Sequence, residues 1–137
     1  MGKILAIDMG TKRIGIAISD PLRMISSPFS IIQFTGADEL VKQIKEIAKK
    51  NDVNKIIIGL PIREDGNEGP GCIVSKKMGE RLRNEGFDTI LWDERYSSKI
   101  AEYYLRECGI KHKDTKDKLD SLSASVLLES YLQFLNK

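Results

Sequence analysis

The sequence predicts an α/β fold, a mixed five-stranded sheet with helices on its faces. Three observations carry this. Three strand-like segments joined by short turns open the chain. After them, helical and strand-like periods alternate. Several of the strand-like runs are apolar without alternation, as in strands buried on both faces. The 137 residues, 41% of them hydrophobic, are enough for one domain over 1–137 with a real core and too few for two.

Each element has its own justification. "KILAIDMG" is the unalternating first strand, and "GTK" is a turn. "RIGIAISD" is a second strand, antiparallel to the first because the connection is so short. "SPFSIIQF" is a third, with Pro28 suited to its start or to a sheet edge. In "TGADELVKQIKEIAKKN" the residues Leu40, Val41, Ile44, Ile47 and Ala48 share one helical face, and Thr35 or a neighbour is the expected cap. "VNKIIIGLP" is a fourth strand, ended by Gly59 and Pro61. "REDGNEGPG" has loop composition and is expected to be mobile. "IVSKKMGERLRNEG" places Val74, Met78 and Leu82 four apart on a helix stopped at Gly86. "DTILWDE" is a fifth strand, and "SSKIAEYYLRECG" a helix stopped at Gly109. "IKHKDTKDK" is expected as a basic loop before the last helix, "KLDSLSASVLLESYLQFL".

Strands one, four and five can run parallel through right-handed crossovers. With strand two on one side of strand one and strand four on the other, chain order reverses beside strand one. Ligands in open α/β sheets gather at the carboxyl ends of strands at such a reversal. Asp8 and Glu94 lie at the carboxyl ends of strands one and five.

The bulk properties exclude more than they assign. A net charge of +2 with 31% charged residues is an ordinary soluble surface, on which basic groups can still concentrate on one face. Cys72 and Cys108 show no zinc spacing and are expected as free thiols in a reducing cytoplasm. No run reaches membrane-spanning length, and no secretory leader is expected. Ala6 stands where a myristoylation signal needs Ser or Thr.

The chemistry lies in the acids. Asp120 sits near the start of the last helix, with Ser123, Ala124 and Leu127 on its face. These are mostly small residues that would let the helix press on the sheet and carry Asp120 toward Asp8. Asp8, Glu94 and Asp120, from three separate elements and without a histidine cluster, make an all-oxygen site suited to Mg2+ or Mn2+. Two such ions would activate a water and stabilise the leaving oxygen of a phosphodiester. Taken singly, each acid has a plainer explanation. Asp8 fits a turn, Asp93–Glu94–Arg95 a solvated ion-pair edge, and Asp120 a helix dipole. Trp92, Tyr103 and Tyr104 fit packing, and His112 fits an exposed loop.

The segments "IDMGTKRIGIAISD", "IIIGLP", "DERYSS" and "DSLSASVLL", in this order across the whole chain, resemble the YqgF/RuvX family. The resemblance implies an RNase H-like sheet of strand order 3-2-1-4-5 with strand two antiparallel. Members are described as Holliday junction resolvases and as nucleases that mature the 5′ end of pre-16S rRNA. Carried over by position, the catalytic and metal-holding acids are Asp8, Glu94 and Asp120, and Arg13 and Arg95 would hold phosphate. Lys111, Lys113, Lys116 and Lys118, leading into the helix of Asp120, would add phosphate contacts. Ser123 departs from the family's usual alanine. The related RuvC resolvases carry a fourth acid one helical turn past the last aspartate, where this chain has Ser123 and Ala124. RuvC also places its second acid on strand four, where this chain has "IIIGLP".

The expected function is thus a divalent-metal-dependent nuclease in pre-16S rRNA maturation, cytoplasmic, with RNA preferred over a DNA junction and ribosomal precursor particles as partners. The alternatives are a Holliday junction resolvase and a non-catalytic RNA-binding assembly factor. Asp-x-Gly-Thr also opens the phosphate loop of actin-like and sugar-kinase ATPases, but these need two such domains and this chain has room for one.

Overall fold

A computed structural model describes residues 2–63, 65–96 and 112–136, with the backbone alone for 112–121. The expected helix over 97–109, with Tyr103, Tyr104 and Cys108, lies outside these residues, as does Lys111.

Five strands form one sheet: β1 (Lys3–Met9), β2 (Arg13–Ser19), β3 (Ser26–Gln33), β4 (Val53–Leu60) and β5 (Asp88–Asp93), in the order β3-β2-β1-β4-β5. β2 is antiparallel to both β1 and β3, while β1, β4 and β5 run parallel. Chain order therefore reverses at β1, as expected. The helices among the described residues are α1 (Ala37–Asn51), α2 (Pro70–Asn84) and α3 (His112–Leu135).

The missing alternation in the strands has a direct cause: both faces are covered. Leu5, Ile7, Ile16, Ile56 and Ile58 pack under α1 and α2 with Leu40, Ile44, Met78 and Leu82. On the other face Ile4, Ala6, Ala17 and Ile57 pack under α3 with Ala124, Leu127, Leu128, Tyr131 and Leu132. Ala6 and Ala17 are cross-strand partners, and their small side chains let α3 lie close to the middle of the sheet.

Local details depart from expectation in several places. The cap of α1 is Gly36, the neighbour of Thr35, and it makes no side-chain bond. α2 begins three residues early, because Pro70 suits the first helical turn, where its missing N–H leaves nothing unpaired. Its buried stripe is Cys72, Ser75, Met78, Gly79 and Leu82; Val74 faces out. Residues 112–118 are helical, not a loop, since no Gly or Pro interrupts the run from His112 to Leu135. β5 ends at Asp93, so Glu94 stands just past the strand.

β3 is an edge strand, which accommodates Pro28 in its interior rather than at its first residue. A register shift opposite Ile16 and Ala17 leaves Phe29 between their partners Ser30 and Pro28.

The stop of α2 is as expected. Phe87 N–H bonds Leu82 O at 3.1 Å and Gly86 N–H bonds Arg83 O at 3.0 Å, with Gly86 at φ 97°. This closure needs a left-handed residue after the cap. Gly86→Ala is expected to lower stability by about 1 kcal/mol, or roughly 3–5 °C in Tm, measured by thermal melting.

Candidate functional site

Asp8 lies one residue before the end of β1, in register with Gly15 of β2. By strand alternation it shares the α3 face with Ala6. The hairpin beyond it closes tightly: Gly10 N–H donates to Arg13 O at 3.1 Å. A side chain on Gly10 would run into that same oxygen, which explains the glycine. Arg13 opens β2, and its half-buried side chain is therefore tethered near the carboxyl end of β1.

Glu94 reaches the same place from the other side. Its backbone N–H donates to Leu60 O at 3.1 Å, pinning the exit of β5 to the end of β4. The two acids meet, and the Glu94 carboxyl hydrogen-bonds Asp8. Burial, then the hydrogen bond to Asp8 and its negative charge, then the charge of Asp93 push the Glu94 carboxyl up to about 9. The cause is general: two carboxyls in contact and partly out of water cannot both ionise, so one keeps its proton and donates it to the other.

The rest of "WDERYSS" is divided between packing and charge. Trp92 donates its indole N–H to Ser130 Oγ at 2.8 Å and meets Tyr131 edge-on at 5.1 Å, so it is a packing residue, as expected. Asp93 is clasped by Arg95: backbone N–H to Oδ1 at 2.9 Å, Nε to Oδ2 at 2.9 Å and Nη2 to Oδ2 at 2.7 Å. Burial pushes Asp93 up, but the hydrogen bonds and charge of Arg95 outweigh it and hold the carboxyl below its usual range. Two of the three charged residues thus form the ion-pair edge of the plainer explanation, and Glu94 is separated from it. Arg95 remains substantially exposed, with 42% of its side chain accessible.

The structure therefore brings together two of the sequence-expected acids. The side chain of Asp120, in the first half of α3, lies outside the described residues, as do those of Lys113, Lys116 and Lys118. Among the described residues no group of three metal-ligating side chains occurs. The pair itself suits a hard divalent cation: both donors are carboxyl oxygens, and a cation between them would relieve the repulsion that keeps Glu94 protonated. Sequence reasoning missed Gly59, on which the Glu94 carboxyl lies. The available signal was a glycine inside the β-branched run "IIIGLP".

Comparison with known proteins identifies the family and the fold. The family model for RuvX, described as a Holliday junction resolvase, matches residues 2–134. The chain belongs to the RuvX family. RuvX relatives include proteins named "Putative pre-16S rRNA nuclease". The one from Sulfurihydrogenibium sp. (strain YO3AOP1) is 37% identical over 99% of this chain and 93% of its own length. The one from Listeria innocua is 36% identical over 98% of this chain and 99% of its own. Both descriptions are of nucleases, so this RuvX chain is a member of a nuclease family. Among solved structures, Thermus thermophilus RuvC in complex with a Holliday junction substrate matches with TM-score 0.55 at 12% identity, over 98% of this chain and 96% of that one. The yeast mitochondrial Holliday junction resolvase matches with TM-score 0.56 at 13% identity, over 97% and 78%. At such identities these two establish the shared RNase H-like fold.

Proposed function

We propose that this RuvX chain is a divalent-metal-dependent nuclease that hydrolyses phosphodiester bonds in 5′-end maturation of pre-16S rRNA, acting as a single domain over 1–137 with Asp8, Glu94 and Asp120 as its acids. The contact between Asp8 and Glu94 at the carboxyl ends of the parallel strands carries the proposal. A carboxyl pair that holds a proton between its members is unfavourable as mere structure. It is suited to giving up that proton to solvent in exchange for a cation. Mg2+ or Mn2+, when bound, supplies activation of a water and stabilisation of the leaving oxygen.

The chain's own residues do the rest. Asp8, fixed in a central strand, and Glu94, fixed by its backbone bond to Leu60, present their oxygens from two directions. Asp120 is the third acid of this proposal, from α3. Arg13 and Arg95 hold the phosphate on either side, with Arg95 pre-oriented by Asp93 and still open to solvent along its outer edge.

The substrate is RNA with a single-stranded segment, and ribosomal precursor particles are the partner. The names of the relatives support this preference over a DNA junction. The protein then acts in the cytoplasm. No described helix is long and apolar enough to cross a membrane, which fits that setting. The deciding experiment is a competition in Mn2+ at near-physiological salt between a pre-rRNA 5′ leader and a four-way DNA junction at equal concentration. Faster cleavage of the leader is expected. Paired, symmetric incision of the junction by a dimer would replace this proposal with the resolvase function.

Lys111, Lys113, Lys116 and Lys118 are proposed as phosphate ligands without sequence preference. Replacing all four with Gln is expected to weaken binding to every sequence alike. The salt dependence should become shallower by about one in slope for each phosphate no longer neutralised. Filter binding across a salt series measures this, and an unchanged slope removes these lysines from the interface.

A further inference from the structure

We infer that Gly59 is a positioning residue for the acid pair: the side chain it lacks leaves the space in which the Glu94 carboxyl sits against Asp8. A Cβ built on Gly59 would lie 2.5 Å from Glu94 Oε1, 2.9 Å from its Cγ and 3.0 Å from its Cδ, and these are its three nearest heavy atoms. Real Cβ atoms do not approach heavy atoms this closely, so Gly59 and the present position of Glu94 exclude any other residue at 59.

The backbone gives no competing reason for the glycine. Gly59 is inside β4, paired with Trp92, without the positive φ that marks Gly36, Gly66 and Gly86. A glycine inside a strand weakens it, because it adds chain entropy to the unfolded state and packs no side chain. The three residues before it, Ile56, Ile57 and Ile58, are fully buried and β-branched, as a central strand requires. The sequence breaks that pattern at Gly59, beneath Glu94.

What a larger residue would displace is equally clear. The backbone of Glu94 is tied to Leu60 O, whereas the carboxyl is the far end of a flexible side chain. A methyl group at 59 would turn the carboxyl away from Asp8 and leave the strand in place. Fold and site geometry are therefore separable at this residue.

The activity arm of the test rests on the nuclease proposal above; the structural arm does not. Gly59→Ala is expected to keep a Tm equal to or above that of the natural protein. Its kcat should fall by about 100-fold, while KM for a single-stranded oligonucleotide moves less than about threefold, the pattern of a misplaced reacting group rather than weakened binding. Glu94→Asp, one methylene shorter, should lower activity on its own but raise that of Gly59→Ala by about tenfold, a reversal that only neighbouring residues produce. In a crystal structure of metal-free Gly59→Ala the Glu94 carboxyl should have left Asp8. A kcat within about threefold of a natural protein that does cleave, a Tm loss beyond about 10 °C, or a carboxyl still seated against Asp8 would each overturn the inference. Should the natural protein cleave no nucleic acid, the nuclease proposal fails, and the crystal structure alone decides the role of Gly59.

Discussion

Asp8→Asn is expected to abolish cleavage and leave the fold intact. Asn has the shape of Asp and can still occupy the end of β1, but it carries no charge and is a far weaker ligand for a hard cation. Asp8 also sits where the geometry allows least substitution: between β2 and β4 in the middle of the sheet, with Gly15 across from it and Glu94 bonded to it. Loss of a group used at the reacting centre lowers kcat by on the order of 1000-fold or more. The measurement is single-turnover cleavage of an RNA leader in Mg2+, with circular dichroism and Tm confirming the fold. Removing the repulsion between the two acids should raise Tm slightly, so a folded, inactive protein is the expected result. A variant that cuts at the natural rate would remove Asp8 from the site.

Glu94→Gln should be inactive as well, and its second effect is on stability against pH. The Glu94 carboxyl is raised in the folded protein from 4.5 to about 9, chiefly by burial and then by Asp8. Between these values the folded state keeps a proton that the unfolded state has released. The contribution of Glu94 to stability is thus fully present below about pH 4.5 and is lost as pH rises toward 9. Gln cannot titrate, and its amide N–H can donate to Asp8 as the protonated carboxyl does. The metal-free variant should match the natural protein near pH 4.5 and exceed it increasingly above. At pH 8 the gain is expected to be about 2 kcal/mol, or on the order of 5–8 °C in Tm, once some relaxation of the two carboxyls is allowed for. Added Mg2+ or Mn2+ should raise the Tm of the natural protein at pH 8 and leave that of Glu94→Gln nearly unchanged, since only the former can give up the Glu94 proton and offer a cation two ionised carboxylates. Parallel Tm–pH curves for the two metal-free proteins would show that Glu94 is not held protonated against Asp8.

Much of this molecule was legible before its structure. The unalternating runs "ILAI" and "IIIG" announced central strands because a residue buried on either face must be apolar, whichever way it points. The stop at Gly86 was legible because a left-handed closing residue is a local demand. Local rules also misled where they were only permissive. Of Thr35 and its neighbours, the helix used Gly36, which offers no side-chain bond, and Val74 lay four residues from Met78 yet faces solvent. A spacing of four fits two neighbouring stripes of a helix, and only the sheet beneath α2 chose between them.

By itself, the sequence determined the order of the five strands and of the described helices among them, the parallel and antiparallel pairings, and the acids at the carboxyl ends of strands one and five. These follow from periodicity, connection length and turn chemistry, all properties of short stretches of chain. The tertiary structure alone decided how these two neighbouring acids are held. Asp93 and Glu94 are adjacent and chemically alike, yet one is clasped by Arg95 and held below its usual range while the other is pressed on Asp8 and raised above it. Gly59, 35 residues earlier in the chain, has no side chain where the Glu94 carboxyl sits. Nothing local could reveal it, because the energy of a buried carboxyl is set by the atoms that replace its water, and these come from other strands.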